Sequence, residues 1–264
     1  MCGIAGYSLS ASSSVDRTLA AQSLLAGIAE RGADAVGYAH RRPGQAVEVH
    51  KQRSGASELL ERVSVPTEAV EALVHVRDYT KGHPSITANN HPIRHGAVVG
   101  IHNGIIANDD QLFARHGFER AEPEMTVDSE AIFALAEASG NRAVALEQLY
   151  GSMATAWIDE RRPGLLFLAR GVGRPLWVGR GHREVFFAST KLALETVDCY
   201  TGVRLQKQEV REGTMVALSD GRVAWSERFR ADDSFVEESV LPPVRAPHEG
   251  AHCLKRLAAL VAAA

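Results

Sequence analysis

The chain has 264 residues, 45% of them hydrophobic and 23% charged, a balance that excludes intrinsic disorder and fits one large domain or two small ones. Lys plus Arg number 29 against 32 Asp plus Glu, a net charge of −3 without any long basic run, so electrostatic binding of nucleic acid is not expected. Cys2, Cys199 and Cys253 are too few and too scattered for a disulfide framework or a structural zinc site. No run approaches the roughly 18 apolar residues of a membrane span, and no basic-then-apolar leader opens the chain. The expectation is a cytoplasmic protein with neither membrane nor nucleic-acid partner, and the composition leaves one oddity, a cysteine at position 2.

In chain order, residues 2 to 9 are apolar and glycine-punctuated and read as a buried strand. Val15, Leu19, Leu24, Leu25 and Ile28 recur at helical spacing behind Ser12 to Ser14, which offer N-caps. Strands are predicted around Ala35 to Ala39 and Val47 to Lys51, joined by the turn-forming Arg42-Pro43-Gly44. A short helix near Glu58 to Arg62 leads to a strand from Ala72 to Arg77, then to a polar loop from Asp78 to Arg94. A loop that long between apolar elements is more often functional than decorative.

The apolar run Ala97 to Ile101 enters His102-Asn103-Gly104, and helices are predicted around 109 to 116, 129 to 138 and 142 to 149. Short strands follow at Met153 to Ile158, Leu165 to Ala169, Leu176 to Gly179, Val185 to Ala188, Thr214 to Leu218 and Arg222 to Trp225. Helices in two blocks among many short strands suggest stacked sheets covered by helices. Ala231 to Gly250 is acidic and carries Pro242, Pro243 and Pro247, the composition of an extended linker. Ala251 to Ala264 is helical in pattern and docks either on this chain or on a partner.

Cys2 carries the chemistry. If Met1 is removed, Cys2 presents a thiol and an α-amine of pKa near 8, a nucleophile and a base on one residue. The following Gly3-Ile4-Ala5-Gly6 would anchor that terminus in a strand. This opening resembles that of class II glutamine amidotransferase domains, a branch of the N-terminal nucleophile hydrolases. Five further segments are similar to that family's motifs, in its order: Arg31-Gly32-Ala33-Asp34-Ala35-Val36-Gly37, His75-Val76-Arg77 with Thr80-Lys81-Gly82, Asn89-Asn90-His91-Pro92, His102-Asn103-Gly104-Ile105-Ile106, and Val127-Asp128-Ser129-Glu130. The resemblance covers roughly residues 2 to 225 and is nearest in flavour to the glutaminase half of the enzyme that makes glucosamine 6-phosphate.

The resemblance implies an α+β fold, the four-layer αββα sandwich, and an N-terminal cysteine amidohydrolase that splits glutamine into glutamate and ammonia with no cofactor and no metal. Within it, Cys2 is the nucleophile, and the Asn103 side-chain amide with the Gly104 N–H forms the oxyanion hole. Arg77 clamps the substrate carboxylate, Thr80 and Gly82 adjoin it, and Asp128 pairs with the ammonium. Arg31 and Gly32 shape the pocket from behind. Read without the family, Asn103-Gly104 is a hairpin turn, Asp128 a helix N-cap and Arg77 a solvated strand end. Cys199 and Cys253 read as structural, and His248, His252 and Cys253 match no trusted metal spacing.

One departure stands out. After Arg77 the glucosamine-6-phosphate-type enzymes carry Trp-Ala-Thr-His-Gly, where this chain has Asp78-Tyr79-Thr80-Lys81-Gly82. In that family the aromatic lids the site and communicates with the synthetase domain, a task Asp78 cannot perform. The expected organisation is a glutaminase domain over 1–228 and a linker with a helix over 229–264. The ammonia acceptor is then expected on a separate synthetase chain, and homo-oligomerisation is left open. The alternatives are a stand-alone hydrolase of another γ-glutamyl amide and a non-catalytic glutamine-binding regulatory subunit.

Overall fold

Alternation in the first strand sets the layers. In β1 (Gly3–Leu9) Ile4 packs into one apolar cluster while Ala5, Tyr7 and Leu9 pack into another, the period of two of a strand buried on both faces. The structure, a computed structural model, describes residues 2–237 and 242–263. After β1 come α1 (Arg17–Ile28), β2 (Ala35–Arg41), β3 (Glu48–Gln52), α2 (Ala56–Leu59) and β4 (Glu71–Arg77). Next are β5 (Ile93–His95), β6 (Val98–Ile106), α3 (Asp109–His116), α4 (Glu130–Ser139), β7 (Gly151–Asp159), β8 (Leu166–Arg170), β9 (Trp177–Arg180) and β10 (Glu184–Ala188). The chain closes with α5 (Lys191–Thr201), β11 (Gln206–Glu209), β12 (Thr214–Ser219), β13 (Arg222–Arg228) and α6 (Pro247–Ala263).

Two antiparallel sheets result, one ordered β11-β9-β10-β1-β4-β2-β3 and the other β13-β12-β8-β7-β6-β5. β1 lies inside its sheet, with Ala5 opposite Ala188 of β10 and Val74 of β4. Three apolar clusters separate four layers. Ile4, Leu73, Val99, Ile101, Leu168 and Phe187 fill the space between the sheets. Leu24, Leu25, Leu194, Cys253 and Leu257 pack α1, α5 and α6 on the outer face of the first sheet. Ile132, Phe133 and Leu135 of α4 pack with Trp157 and Phe167 on the outer face of the second. This is the αββα sandwich, and each fully buried Leu or Phe in it contributes about 1.5–3 kcal/mol. No helix among the described residues is long and apolar enough to cross a membrane.

Several expectations change. Asp16, not Ser12 to Ser14, caps α1, accepting the Leu19 N–H at 2.8 Å. The apolar run continues from Val98 through His102-Asn103-Gly104 to Ile106 as one strand, β6, paired with β7 from end to end, so Asn103-Gly104 is not the hairpin turn it resembles in isolation. The segment 142 to 149 folds as a 3-10 helix over Ala143–Gln148. β5, α5 and β11 carry no prediction; α5 has its apolar residues diluted by Lys191, Glu195, Thr196 and Asp198 and depends on packing against α1. α6 begins at Pro247, so the linker ends before Gly250, and Cys253 and Leu257 bury the helix on this chain. Residues 238–241, inside that linker, lie outside the described residues, as do Met1 and Ala264. Cys199 is exposed and fills no structural role, whereas Cys253 is buried.

Candidate active site

Strand ends and one loop meet at the edge of the two sheets. Cys2, just ahead of β1, shares the parity of Ile4 and belongs to the inter-sheet layer. On β4, Arg77 shares a face with Leu73 of that layer. On β6, Asn103 shares the parity of Val99 and Ile101, while His102 and Gly104 take the other face. A small cavity forms where these meet, lined by Cys2, Arg77, Tyr79, Thr80, Lys81, His91, His102, Gly104, Val127, Asp128 and Ser129. Its free volume of about 10 Å³ is room for about one water molecule.

The Cys2 thiol donates to the Asp78 carbonyl at 3.5 Å. Burial pushes its pKa up, opposed by that hydrogen bond and by the Arg77 charge. A neutral thiol at pH 7 requires a base at the moment of attack. Arg77 is buried and spends three donors on protein, to Asn90 Oδ1 at 2.6 Å, the Lys81 carbonyl at 2.9 Å and the Gly82 carbonyl. Those bonds bend the 78–82 loop around the guanidinium, which keeps further N–H groups for a ligand. Gly32 packs against the Arg77 carbonyl so closely that a Cβ would collide with backbone. Arg31 is buried behind Cys2, its Nε and one terminal nitrogen without a partner among the described residues.

Asp128 is not a helix cap. Ser129 occupies the N-cap position of α4, and Asp128 Oδ2 instead accepts the Ile106 N–H at 2.7 Å. Burial pushes its carboxyl up to about 6, against the lowering effect of that hydrogen bond. A buried carboxylate beside a cavity is a ready partner for a ligand cation. Asn103 is fully buried, and neither its amide nitrogen nor its oxygen meets a partner among the described residues. An orphaned amide of this kind costs about 1–3 kcal/mol per atom and marks a place where structure yields to chemistry. Gly104 adopts φ +150°, and a Cβ there would enter the Ser152 carbonyl.

Three histidines back the cavity. His91 stacks on His75 with ring centroids 4.4 Å apart, and His75 Nε2 lies 3.1 Å from the His102 carbonyl. His102 Nδ1 lies 2.8 Å from Ser129 Oγ. Burial holds His75 and His102 down to about 3 and His91 well below its ordinary value, so all three are neutral at pH 7. Among the described residues no His, Cys, Asp and Glu group is arranged to hold a metal ion.

Of the residues singled out from sequence, Cys2, Arg77, Thr80, Gly104 and Asp128 border one cavity. Gly82 meets it through the Arg77 hydrogen bond, Arg31 and Gly32 stand behind it, and Asn103 lies one residue away on the inter-sheet face. His91, His102 and Ser129 each sit inside a quoted motif but carry no role read from sequence; their burial is visible only in the structure. Lys81 likewise carries no role read from sequence. Its ammonium pairs with Asp109 at 2.7 Å and Asp110 at 3.0 Å, tying the 78–82 loop to α3.

Residues 78–196 match the model of a glutamine amidotransferase domain. A glutamine–fructose-6-phosphate aminotransferase of Caulobacter vibrioides is 32% identical over 205 residues, 74% of this chain and 32% of the relative. One from Aliivibrio fischeri is 36% identical over 133 residues, covering 47% of this chain and 22% of the relative. The chain thus spans a third or less of the length of these relatives. Glutamine phosphoribosylpyrophosphate amidotransferase from B. subtilis superposes with a TM-score of 0.65 at 20% identity, over 86% of this chain and 49% of that one. A structure described as the allosteric regulatory enzyme of purine biosynthesis gives 0.67 at 22% identity with the same coverage.

Proposed function

The chain carries a class II glutamine amidotransferase domain of the N-terminal nucleophile type, and from that we propose that it hydrolyses the side-chain amide of glutamine to glutamate and ammonia. The supporting observation is the single cavity bordered by Cys2, Arg77, Gly104 and Asp128, residues far apart in sequence. A buried cation and a buried carboxylate suit the two charges of an amino-acid head group, and a thiol beside them suits attack on its side chain. Admitting glutamine requires the 78–82 loop to move, because the cavity holds about one water.

In the proposed reaction the α-amine of Cys2, freed by removal of Met1, takes the thiol proton. Sulfur attacks the amide carbon, and the Asn103 amide and Gly104 N–H stabilise the oxyanion, an effect worth about 10²–10³ in rate for one donor. The C–N bond then breaks as the ammonium returns the proton to the departing nitrogen, leaving ammonia and a γ-glutamyl thioester on Cys2. Water attacks the thioester, releasing glutamate and restoring the thiol. His91 and His102, neutral and buried, keep competing charge out of the site.

Residues 1–228 form the glutaminase unit in this reading, residues 229–264 its linker and helix, and the ammonia passes to an acceptor enzyme on another chain. Ammonia release from glutamine tests it directly: Cys2→Ala must abolish turnover, and intact mass must show Met1 absent. Equal rates for wild type and variant, or retention of Met1 on active protein, would refute the mechanism. Turnover confined to other γ-glutamyl amides would move the substrate assignment and leave the nucleophile in place.

A further inference from the structure

We infer that Arg245, in the C-terminal segment beyond the glutaminase motifs, is a positioning residue for the nucleophile. The functional part of this inference rests on the amidotransferase reading above; the geometric part does not. Arg245 reaches Asp78 with Nε 3.2 Å from Oδ2. The carbonyl of that same Asp78 accepts the Cys2 thiol proton at 3.5 Å. The position where this chain departs from the family's tryptophan is therefore the one through which the C-terminal segment touches the catalytic cysteine.

The pair is held from both sides. Behind Arg245, the N–H groups of Arg245 and Ala246 both donate to the Glu30 carbonyl at 2.9 Å, next to Arg31 and Gly32. The helix α6 that follows is pinned by Glu249, which accepts the Ser57 N–H at 2.8 Å and Oγ at 3.0 Å. Arg256 adds a bond to the Ser57 carbonyl at 2.6 Å, and Cys253 and Leu257 are buried beneath. On the other side, Asp34 fixes the loop by accepting the Tyr79 N–H at 2.9 Å and donating its own N–H to the Arg77 carbonyl at 3.0 Å. Arg245 thus sits on a backbone hydrogen-bonded to Glu30 and continuous with α6, and in this arrangement its side chain sets where Asp78 and its carbonyl lie over Cys2. The Arg245 side chain is 38% exposed, so the pair adds little to global stability and its loss is not a folding defect.

The test uses the full chain with Arg245→Gln, Asp78→Asn, the double variant and Arg245→Lys. The first readout is the rate of Cys2 alkylation by iodoacetamide, followed by peptide mass mapping to separate it from exposed Cys199; it needs no turnover. The second is kcat and KM for ammonia release from glutamine, with Tm as a control. Arg245→Gln and Asp78→Asn are each expected to change the alkylation rate by about 3- to 10-fold, and the double variant by no more than either alone, as for two groups acting through one contact. The same variants lower kcat by a similar factor while KM moves less than twofold, Arg245→Lys recovers most of the loss, and Tm stays within about 2 °C. An unchanged alkylation rate in Arg245→Gln overturns the inference, as does a double variant whose effect is the product of the singles. If wild type releases no ammonia, the amidotransferase reading fails and the alkylation rates alone decide the role of Arg245.

Discussion

Asp128→Asn separates what the site does for the fold from what it does for the ligand. Burial holds the Asp128 carboxyl at about 6 against an unfolded value near 3.8, so the folded chain prefers it protonated. That preference stabilises the fold fully below about pH 4 and is lost as pH rises through about 6. At pH 7 the carboxylate is ionised in both states, and the displacement corresponds to about 3 kcal/mol of strain on the native state. Asparagine removes the charge and keeps an oxygen for the Ile106 N–H, so the variant is expected to be more stable than wild type at pH 7 by up to about 3 kcal/mol, roughly 6–12 °C in Tm. The gap narrows to roughly half at pH 5, where the wild-type group takes up a proton. With its charge gone, the variant also raises KM for glutamine by about 100-fold, the worth of a charged hydrogen bond. Urea unfolding at the two pH values and a glutamine titration read all three effects. A variant less stable than wild type at pH 7, or a gap that ignores pH, would refute the reasoning.

His75 and His102, held at about 3 by burial, oppose this trend. Their stability contribution is present above the ordinary histidine value and is lost on acidification, on the order of 4 kcal/mol for the pair between pH 7 and 5. That exceeds the roughly 1.5 kcal/mol that Asp128 returns over the same interval. These three groups together therefore lower stability toward pH 5, and His102→Gln must show a shallower fall in urea midpoint. Asn103→Leu removes two buried atoms that lack partners, so it keeps stability within about 1 kcal/mol of wild type while kcat drops by about 10²–10³; activity within tenfold of wild type contradicts the oxyanion role. Gly104→Ala forces a side chain into φ +150° against the Ser152 carbonyl and costs at least about 2–3 kcal/mol by urea unfolding. Gly44→Ala, at φ +73° with open space around it, costs about 1 kcal/mol and serves as the comparison.

Local signals carried the strands and the catalytic motifs, because both are written in contiguous residues. Alternation and apolar runs placed β1, β4 and β7 within about two residues of their observed bounds, and the motif order brought together residues that border one cavity. What escaped depends on contacts between distant residues. α5 exists because Ala193 and Leu194 meet α1, a face its own mixed sequence does not advertise. Asn103-Gly104 reads as a turn in isolation and becomes strand only because Ala154 and Met153 of β7 pair with it. Asp128 had the spacing of a cap, yet the Ile106 N–H competes successfully for its carboxylate. The Asp78–Arg245 pair joins residues 167 positions apart and has no sequence signature at all.

The place of β1 inside its sheet has a consequence for synthesis. Its two neighbours leave the ribosome long after it: β4 begins at Glu71 and β10 at Glu184. At about 5–20 residues per second, some 175 residues of delay is roughly 10–35 s during which the cysteine's strand has no partner on at least one edge. Any trimming of the residue before Cys2 has that window to act. Once β10 is paired, the strand is held on both edges, so under the proposed mechanism the order of translation lets removal of the preceding residue come before the sheet around Cys2 closes.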